Sequence, residues 1–408
     1  MTVERTTTDQ AVADARELGA FVELYPESPG IPVAVKDLID VAGQTVRNGT
    51  PGLAHRTAGE DAEVWARLRA TGHVVSGRTT VPELAWSVRT PGCRNPWDPS
   101  RDAGGSSGGS AVAVATGAVP AALGTDTGGS IRIPAALCGV AGLRPTHGTI
   151  SMRGITPVAP SMDTVGPIAP TARECLRLHE ILGGAMVPAR PVADLRIGLP
   201  RQLWDGKIDP EVLRLFEEAA DTLEAAGAKL SDIELPLGHR HARTAGYTIM
   251  LAESAREWWA AYTGDPAGLA GRAAEMLRAG SEVSSSDYQE ALARAAAVRA
   301  ELDEAFGAVD TLLLPTVPVT AAPAGTDTAM VGDRKEPIEA AYFRTTALAS
   351  VTGHPALTVP AGLTGDGLPA GAQLVGPRRQ EALLCRLGET IEGGPRAREL
   401  ARARGSNR

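Results

Sequence analysis

The sequence predicts an α/β fold, a parallel or mixed β-sheet with helices on its faces, and three observations carry that expectation. Short apolar runs alternate with amphipathic segments from residue 31 onward, the rhythm of strand–helix–strand units. Residues 191–310 are rich in Ala, Glu and Arg at helical spacing, with no low-complexity linker on either side. They read as a helical layer around the sheet, not as a separate domain. Apolar runs of strand length then return at Thr311–Pro315, 356–359 and 371–375.

Taken in order, residues 9–24 read as a short amphipathic helix with Val12, Leu18, Phe21 and Leu24 on its apolar side. Pro26, Pro29 and Gly30 stop it. Ile31-Pro32-Val33-Ala34-Val35 is a buried strand that runs straight into Lys36-Asp37. Lysine normally stays wet, so Lys36 is either a surface residue paired with Asp37 or a desolvated amine. Desolvation disfavours the charged form and makes a lysine usable as a base. Residues 61–71 form a helix, His73-Val74-Val75-Ser76-Gly77 a strand, and 79–86 the start of another helix with Pro82 in its first turn. Buried helix and strand follow Arg132 as far as Arg144, then a Pro-rich loop with Ser161, Asp163 and Thr164, then a helix over 172–182. Helices are expected near 210–227, 247–262, 266–279 and 286–307. Residues 324–336 are polar and Gly-containing, a candidate mobile loop at a pocket mouth, and 340–350 are helical. A hairpin around Gly365-Asp366-Gly367 joins the last strands, and the basic tail from 396 to 408 is expected to be disordered.

Composition excludes several classes. With 408 residues, the chain buries a core without staples. A net charge of −8 argues against a nucleic-acid or anionic-membrane partner. Cys93, Cys138, Cys175 and Cys385 lack metal-ligand or disulfide-framework spacing, which fits a reducing cytoplasm and no structural metal. The polar N-terminus has no apolar signal region, and the Ala/Val-rich segment nearest a membrane span is interrupted by Gly117 and Pro120.

The chemistry concentrates between Asp102 and Arg132. Gly104-Gly105-Ser106-Ser107-Gly108-Gly109-Ser110 and Thr127-Gly128-Gly129-Ser130 flank a buried small-residue segment. Hydroxyls beside several unblocked amides suit acyl transfer, because the hydroxyl attacks and the amides hold the oxyanion. A flexible linker would not enclose a dozen apolar residues, and no Gly-Lys-Ser/Thr phosphate loop is present. Gly104-x-Ser106-x-Gly108 matches the nucleophile-elbow pattern, but loop precedes it, not strand. None of His55, His73, His147, His179, His239, His241 and His354 sits in a recognisable catalytic-base motif.

Lys36 after its apolar strand, the serine cluster at 104–110 and Gly-Thr-Asp-Thr-Gly-Gly-Ser-Ile-Arg at 124–132 together resemble the amidase signature family. The flanks agree: Gly77-Arg78-Thr79-Thr80-Val81-Pro82-Glu83, Arg94-Asn95-Pro96-Trp97-Asp98, Leu312-Leu313-Leu314-Pro315-Thr316 and Gly353-His354-Pro355-Ala356. The resemblance covers about residues 30–390. It implies one α/β domain over 1–408, a mixed sheet sandwiched between helical layers. The signature core would span about 30–185, the helical layer about 205–307 and the return to the sheet about 308–395.

The resemblance also implies roles. Ser130 is the nucleophile, Ser106 a bridging serine preceded by a cis peptide from Gly105, and Lys36 the base, neutral at rest. The N–H groups of Thr127, Gly128, Gly129 and Ser130 form the oxyanion hole. Asp126 and Arg132 brace that loop, and Ser107 supports the triad. The implied function is hydrolysis of a small-molecule carboxamide to carboxylate and ammonia or amine through an acyl-serine, with no cofactor and no metal, in a cytoplasmic monomer or homodimer. Two departures stand out. The stretch before Lys36 is too short for the N-terminal helical extension of many members, and Ala103 replaces the usual proline before the first Gly-Gly. The family's glutamine-hydrolysing A subunit of a tRNA-dependent amidotransferase is disfavoured, because 277–284 lacks its arginine-rich segment. An allophanate or biuret hydrolase also fits the signature, as does a catalytically silent scaffold. Pocket walls are expected from 151–165, 250–290 and 324–345, with Trp86, Trp258 and Trp259 as aromatic candidates.

Overall fold

A computed structural model describes residues 9–26, 28–53, 55–204 and 206–406. An 11-stranded mixed sheet forms its spine. Across it the strands run Phe21–Leu24, His73–Thr79, Ile31–Lys36, Ala121–Asp126, Thr164–Ala169, Ala141–Arg144, Ala356–Leu363, Pro369–Val375, Thr311–Pro315, Arg196–Leu199 and Lys229–Asp232. The strands Ala121–Asp126, Thr164–Ala169 and Pro369–Val375 are buried along their whole length, their polar residues Asp126 and Gln373 included. No described helix is long and apolar enough to cross a membrane.

Two parallel neighbours position the site. Ile31–Lys36 pairs with Ala121–Asp126, with Val35 opposite Leu123, so Lys36 and Asp126 leave the sheet at the same edge. Ligands in α/β sheets bind outside such carboxyl ends. The helix Gly108–Ala115 feeds the second strand and is buried at every residue. Small side chains let it lie against the backbone: a Cβ on Gly109 would stand 2.5 Å from the Ala20 carbonyl oxygen. The expected helical layer is present as Pro236–Gly264, Gly271–Ser281 and Ser285–Ala308, the last capped by Ser284 Oγ accepting from Asp287 N at 3.0 Å.

Several local expectations differ from the structure. The helix over 9–24 ends at Glu17, and Phe21–Leu24 pairs antiparallel on the sheet edge instead, after a turn at Gly19 with φ +74°. The helix expected from 79 shrinks to a 3-10 turn at Glu83–Ala85, because Pro82 is extended and Leu84 has φ +48°. The loop over 324–336 holds a hairpin, Thr328–Val331 against Arg334–Pro337. Arg89 fastens its base, donating to Thr326 O and to Asp327 Oδ1. The tail expected to be disordered is the helix Pro395–Ser406 as far as the structure describes it. Ala397 and Leu400 are buried, and Arg404 donates to Gly139 O at 2.9 Å. Its many arginines mask this buried apolar pair.

Candidate active site

Lys36 is fully buried and, among the described residues, has no carboxylate within ion-pair distance. Asp37 instead takes a hydrogen bond from Arg78 Nε at 3.0 Å. Lys36 Nζ sits among three hydroxyls, 2.7 Å from Ser106 Oγ, 2.9 Å from Ser107 Oγ and 2.9 Å from Thr125 Oγ1. Burial pulls its pKa down from 10.5 to about 7, against the more distant charges of Asp126 and Asp163, which pull it up. The Gly105–Ser106 peptide is cis. A Cβ on Gly105 would stand 2.6 Å from the Arg89 backbone, so only glycine fits that approach.

Ser106 and Ser107 are fully buried, whereas Ser130 is partly exposed and lines a cavity of about 480 Å³. Ser107 N donates to Ser130 O at 3.1 Å, which holds the two serine segments side by side. The Ser130 hydroxyl has no hydrogen-bond partner among the described residues, so no side-chain bond links Ser130 to Ser106. Ser106 does not line the cavity, which removes the nucleophile-elbow reading.

The turn carrying Ser130 is built around Asp126. Its carboxylate accepts from Arg132 Nε at 3.0 Å, Arg144 at 2.9 Å, Gly129 N at 2.9 Å and Ile131 N at 3.2 Å, all in a fully buried cluster. Burial alone would raise the Asp126 pKa, but the two guanidinium groups overcome it and hold the carboxyl well below the usual range. This corrects one expectation. The Gly129 amide is occupied by Asp126 Oδ1, so the open donors of the expected oxyanion set are the amides of Thr127, Gly128 and Ser130. Thr346 Oγ1 donates to Gly128 O at 2.7 Å and fixes the turn from above.

Apolar walls surround the cavity: Trp86, Val88, Ile133, Val158, Met250, Met276 and Phe343. Arg243, Arg272, Tyr247 and Glu339 add polar groups. Three of the lining segments, 85–88, 127–133 and 243–248, lie outside the expected wall ranges, although Trp86 itself is one of the expected aromatic residues. Trp258 and Trp259 do not line the cavity, and Trp258 Nε1 donates to Pro157 O instead. None of the histidines lines it either.

Thr125, Arg144 and Asp163 contribute to the site although the motifs assign them no role. Thr125 was legible, since it lies within the second glycine motif. Arg144 lies remote in sequence and reaches Asp126 only because its strand packs near the same sheet edge.

Comparison with known proteins shows the family and the fold. The Amidase family model matches residues 3–385. The A subunit of glutamyl-tRNA(Gln) amidotransferase from Anaeromyxobacter dehalogenans (strain 2CP-C) is 35% identical, over 95% of this chain and 87% of its own. A crystal structure of an amidase is 33% identical with a TM-score of 0.88, over 96% of both chains. The structure of the A subunit of the same amidotransferase from Thermotoga maritima is 31% identical with a TM-score of 0.80, over 96% of this chain and 92% of that one. The chain belongs to the amidase signature family of hydrolases.

Proposed function

We propose that this protein cleaves a carboxamide C–N bond through an acyl-enzyme on Ser130, with Ser106 passing protons and Lys36 acting as base. One observation carries the reading: a dry lysine, without a counter-ion among the described residues, lies 2.7 Å behind a buried serine, while Ser130 opens onto the cavity. A neutral amine has two N–H bonds and one lone pair. Ser107 directs its own proton to Thr125 O at 3.2 Å, so it accepts from Lys36. Thr125 takes the second N–H, and the lone pair faces Ser106. Ser130 Oγ attacks the carbonyl carbon as its proton moves to Ser106 and the Ser106 proton moves to Lys36. The oxyanion rests on the open amides of Thr127, Gly128 and Ser130. The C–N bond breaks as the leaving nitrogen takes a proton from Ser106, which recovers one from Lys36. Water then repeats the sequence on the ester and releases the carboxylate.

Glutamine is the substrate that the relatives' names favour, with this chain as the A subunit of an amidotransferase. The cavity adds support. The helix Gly271–Ser281 presents Arg272 to the cavity from just before the stretch that lacks the expected arginines. Arg243 and Arg272 can hold an α-carboxylate, and Glu339 can hold an α-ammonium.

The test is intact mass and peptide mapping after treatment with a fluorophosphonate, followed by ammonia release from glutamine and from propionamide. Labelling at Ser130, absent in Ser130→Ala, is expected. Labelling elsewhere would overturn the nucleophile assignment. Release from glutamine that falls about tenfold in Arg243→Met, with release from propionamide unchanged, favours the glutamine reading. Equal losses on both substrates would remove it.

A further inference from the structure

Asp163 has no place in the steps above, yet it is a buried carboxylate with no ion-pair partner among the described residues. Burying a carboxylate is costly unless each oxygen is satisfied. Here both oxygens are taken up by neutral donors. Thr127 Oγ1 donates to Oδ1 at 2.6 Å, and the amides of Val158 and Ala159 donate to Oδ2 at 2.9 and 3.1 Å. These donors belong to two different parts of the site. Thr127 supplies one of the open amides of the oxyanion turn. Val158 is a wall of the cavity.

The connection continues beyond Val158. Its carbonyl accepts from Ser254 Oγ at 2.8 Å, and Ser254 in turn accepts from the indole N–H of Trp86, another cavity wall. Trp86 packs edge-on to Tyr247, also in the wall, with ring centroids 6.4 Å apart. Hydrogen bonds therefore run from the oxyanion turn to the face that receives the acyl group, with Asp163 at the junction.

The geometry points to Asp163 as a positioning residue that sets the acyl-binding wall in register with the oxyanion turn through Thr127. This inference rests on the acyl-Ser130 reading. A small misplacement of a reacting group lowers rate without breaking the fold, so the expected signature is kinetic. Carboxylate chemistry explains the choice of residue. An asparagine can keep the Val158 and Ala159 amides on its oxygen only by turning its NH2 to Thr127, whose hydroxyl must then reverse from donor to acceptor, and a neutral amide oxygen holds the two amides more weakly than a carboxylate does.

The test uses phosphonylation of Ser130, which needs no known substrate. The second-order labelling rate constant is measured with two fluorophosphonates, one bearing a methyl group and one bearing an octyl chain. Wild type is expected to react faster with the octyl probe, because the chain meets the apolar wall. Thr127→Val keeps the Thr127 amide and shape but removes the hydroxyl bond to Asp163. It is expected to slow both probes about tenfold, with Thr127→Ser restoring the rate. Asp163→Asn is expected to slow both and to reduce the octyl-to-methyl ratio about threefold or more. The double variant should be no slower than the slower single variant, since both changes act on one linkage. Wild-type rates in a folded Thr127→Val would overturn the inference, as would multiplicative losses in the double variant. If Asp163→Asn fails to fold, the Thr127 variants decide alone. A wild type that is not labelled at Ser130 would overturn the acyl-Ser130 reading and this inference with it. A wild type labelled normally, with Thr127→Val equal to it, would overturn this inference only.

Discussion

Two clusters lie at the carboxyl ends of adjacent parallel strands, both shut away from water, and they handle buried charge in opposite ways. Around Asp126, two guanidinium groups and two amides surround one carboxylate, so the buried negative charge has counter-charges and donors on all sides. Around Lys36, three neutral hydroxyls surround one amine, and no carboxylate of the described residues comes within ion-pair distance. Burial works on both, yet the Asp126 carboxyl is held well below its usual range while the Lys36 amine falls to about 7. The difference lies in which partners the fold supplies. A charge persists in a dry interior where counter-charges are built in. A proton acceptor is obtained where they are withheld, and these two residues are only a few positions beyond the Val35–Leu123 pair.

The sharpest break is to remove the amine. Lys36→Met should lower kcat by about 10³-fold or more, since general-base assistance of this kind contributes up to about 10⁴-fold. The protein should stay folded, because Met replaces a desolvated group with an apolar one of similar length. The wild-type acidic limb, centred near pH 7 by the Lys36 pKa, should vanish from the residual activity. A variant that keeps that limb would show that another group is the base.

Breaking the charged cluster should instead harm folding. Asp126→Asn strands Arg132 and Arg144 in the interior, and removing one partner of a buried ion pair costs about 3–5 kcal/mol. Urea unfolding measures it, and a loss below about 1 kcal/mol would mean that water reaches the cluster.

A third measurement separates the clusters by pH, with a modest change per pH unit. An unfolded lysine keeps its proton to about pH 10.4, whereas folded Lys36 releases it near 7. Between those values the unfolded chain binds the extra proton, so stability rises with pH. Relative to Lys36→Met, the wild type should gain about 1.4 kcal/mol per pH unit in that window and show no slope below it. A flat difference across the window would mean that Lys36 ionises at an ordinary lysine value.

Much of the site was legible because its chemistry is local in sequence. The serine cluster, Thr127 to Ser130 and Lys36 after its strand are short motifs whose residue types carry their own reason. Even so, the motif offers four amides where the structure leaves three open, since Asp126 captures that of Gly129. Secondary structure was legible where periodicity runs long, as in Ser285–Ala308, and failed where apolar residues are few. Phe21 and Leu24 fit a helical stripe as well as a sheet edge, and only pairing with His73–Thr79 chose between them. The tail reads as disordered because its arginines outnumber Ala397 and Leu400, which are nonetheless buried.

By itself, the sequence determined the α/β class, the hydroxyl-rich turn, the lysine and the family, because each rests on residue type and near spacing. Tertiary structure decided which hydroxyl meets the cavity, which charges Lys36 is denied, and how Arg144, Asp163 and Thr346 reach a turn from distant parts of the chain. Those outcomes depend on burial and on contacts between remote segments. Both are properties of the packed sheet edge, and no window of sequence contains them.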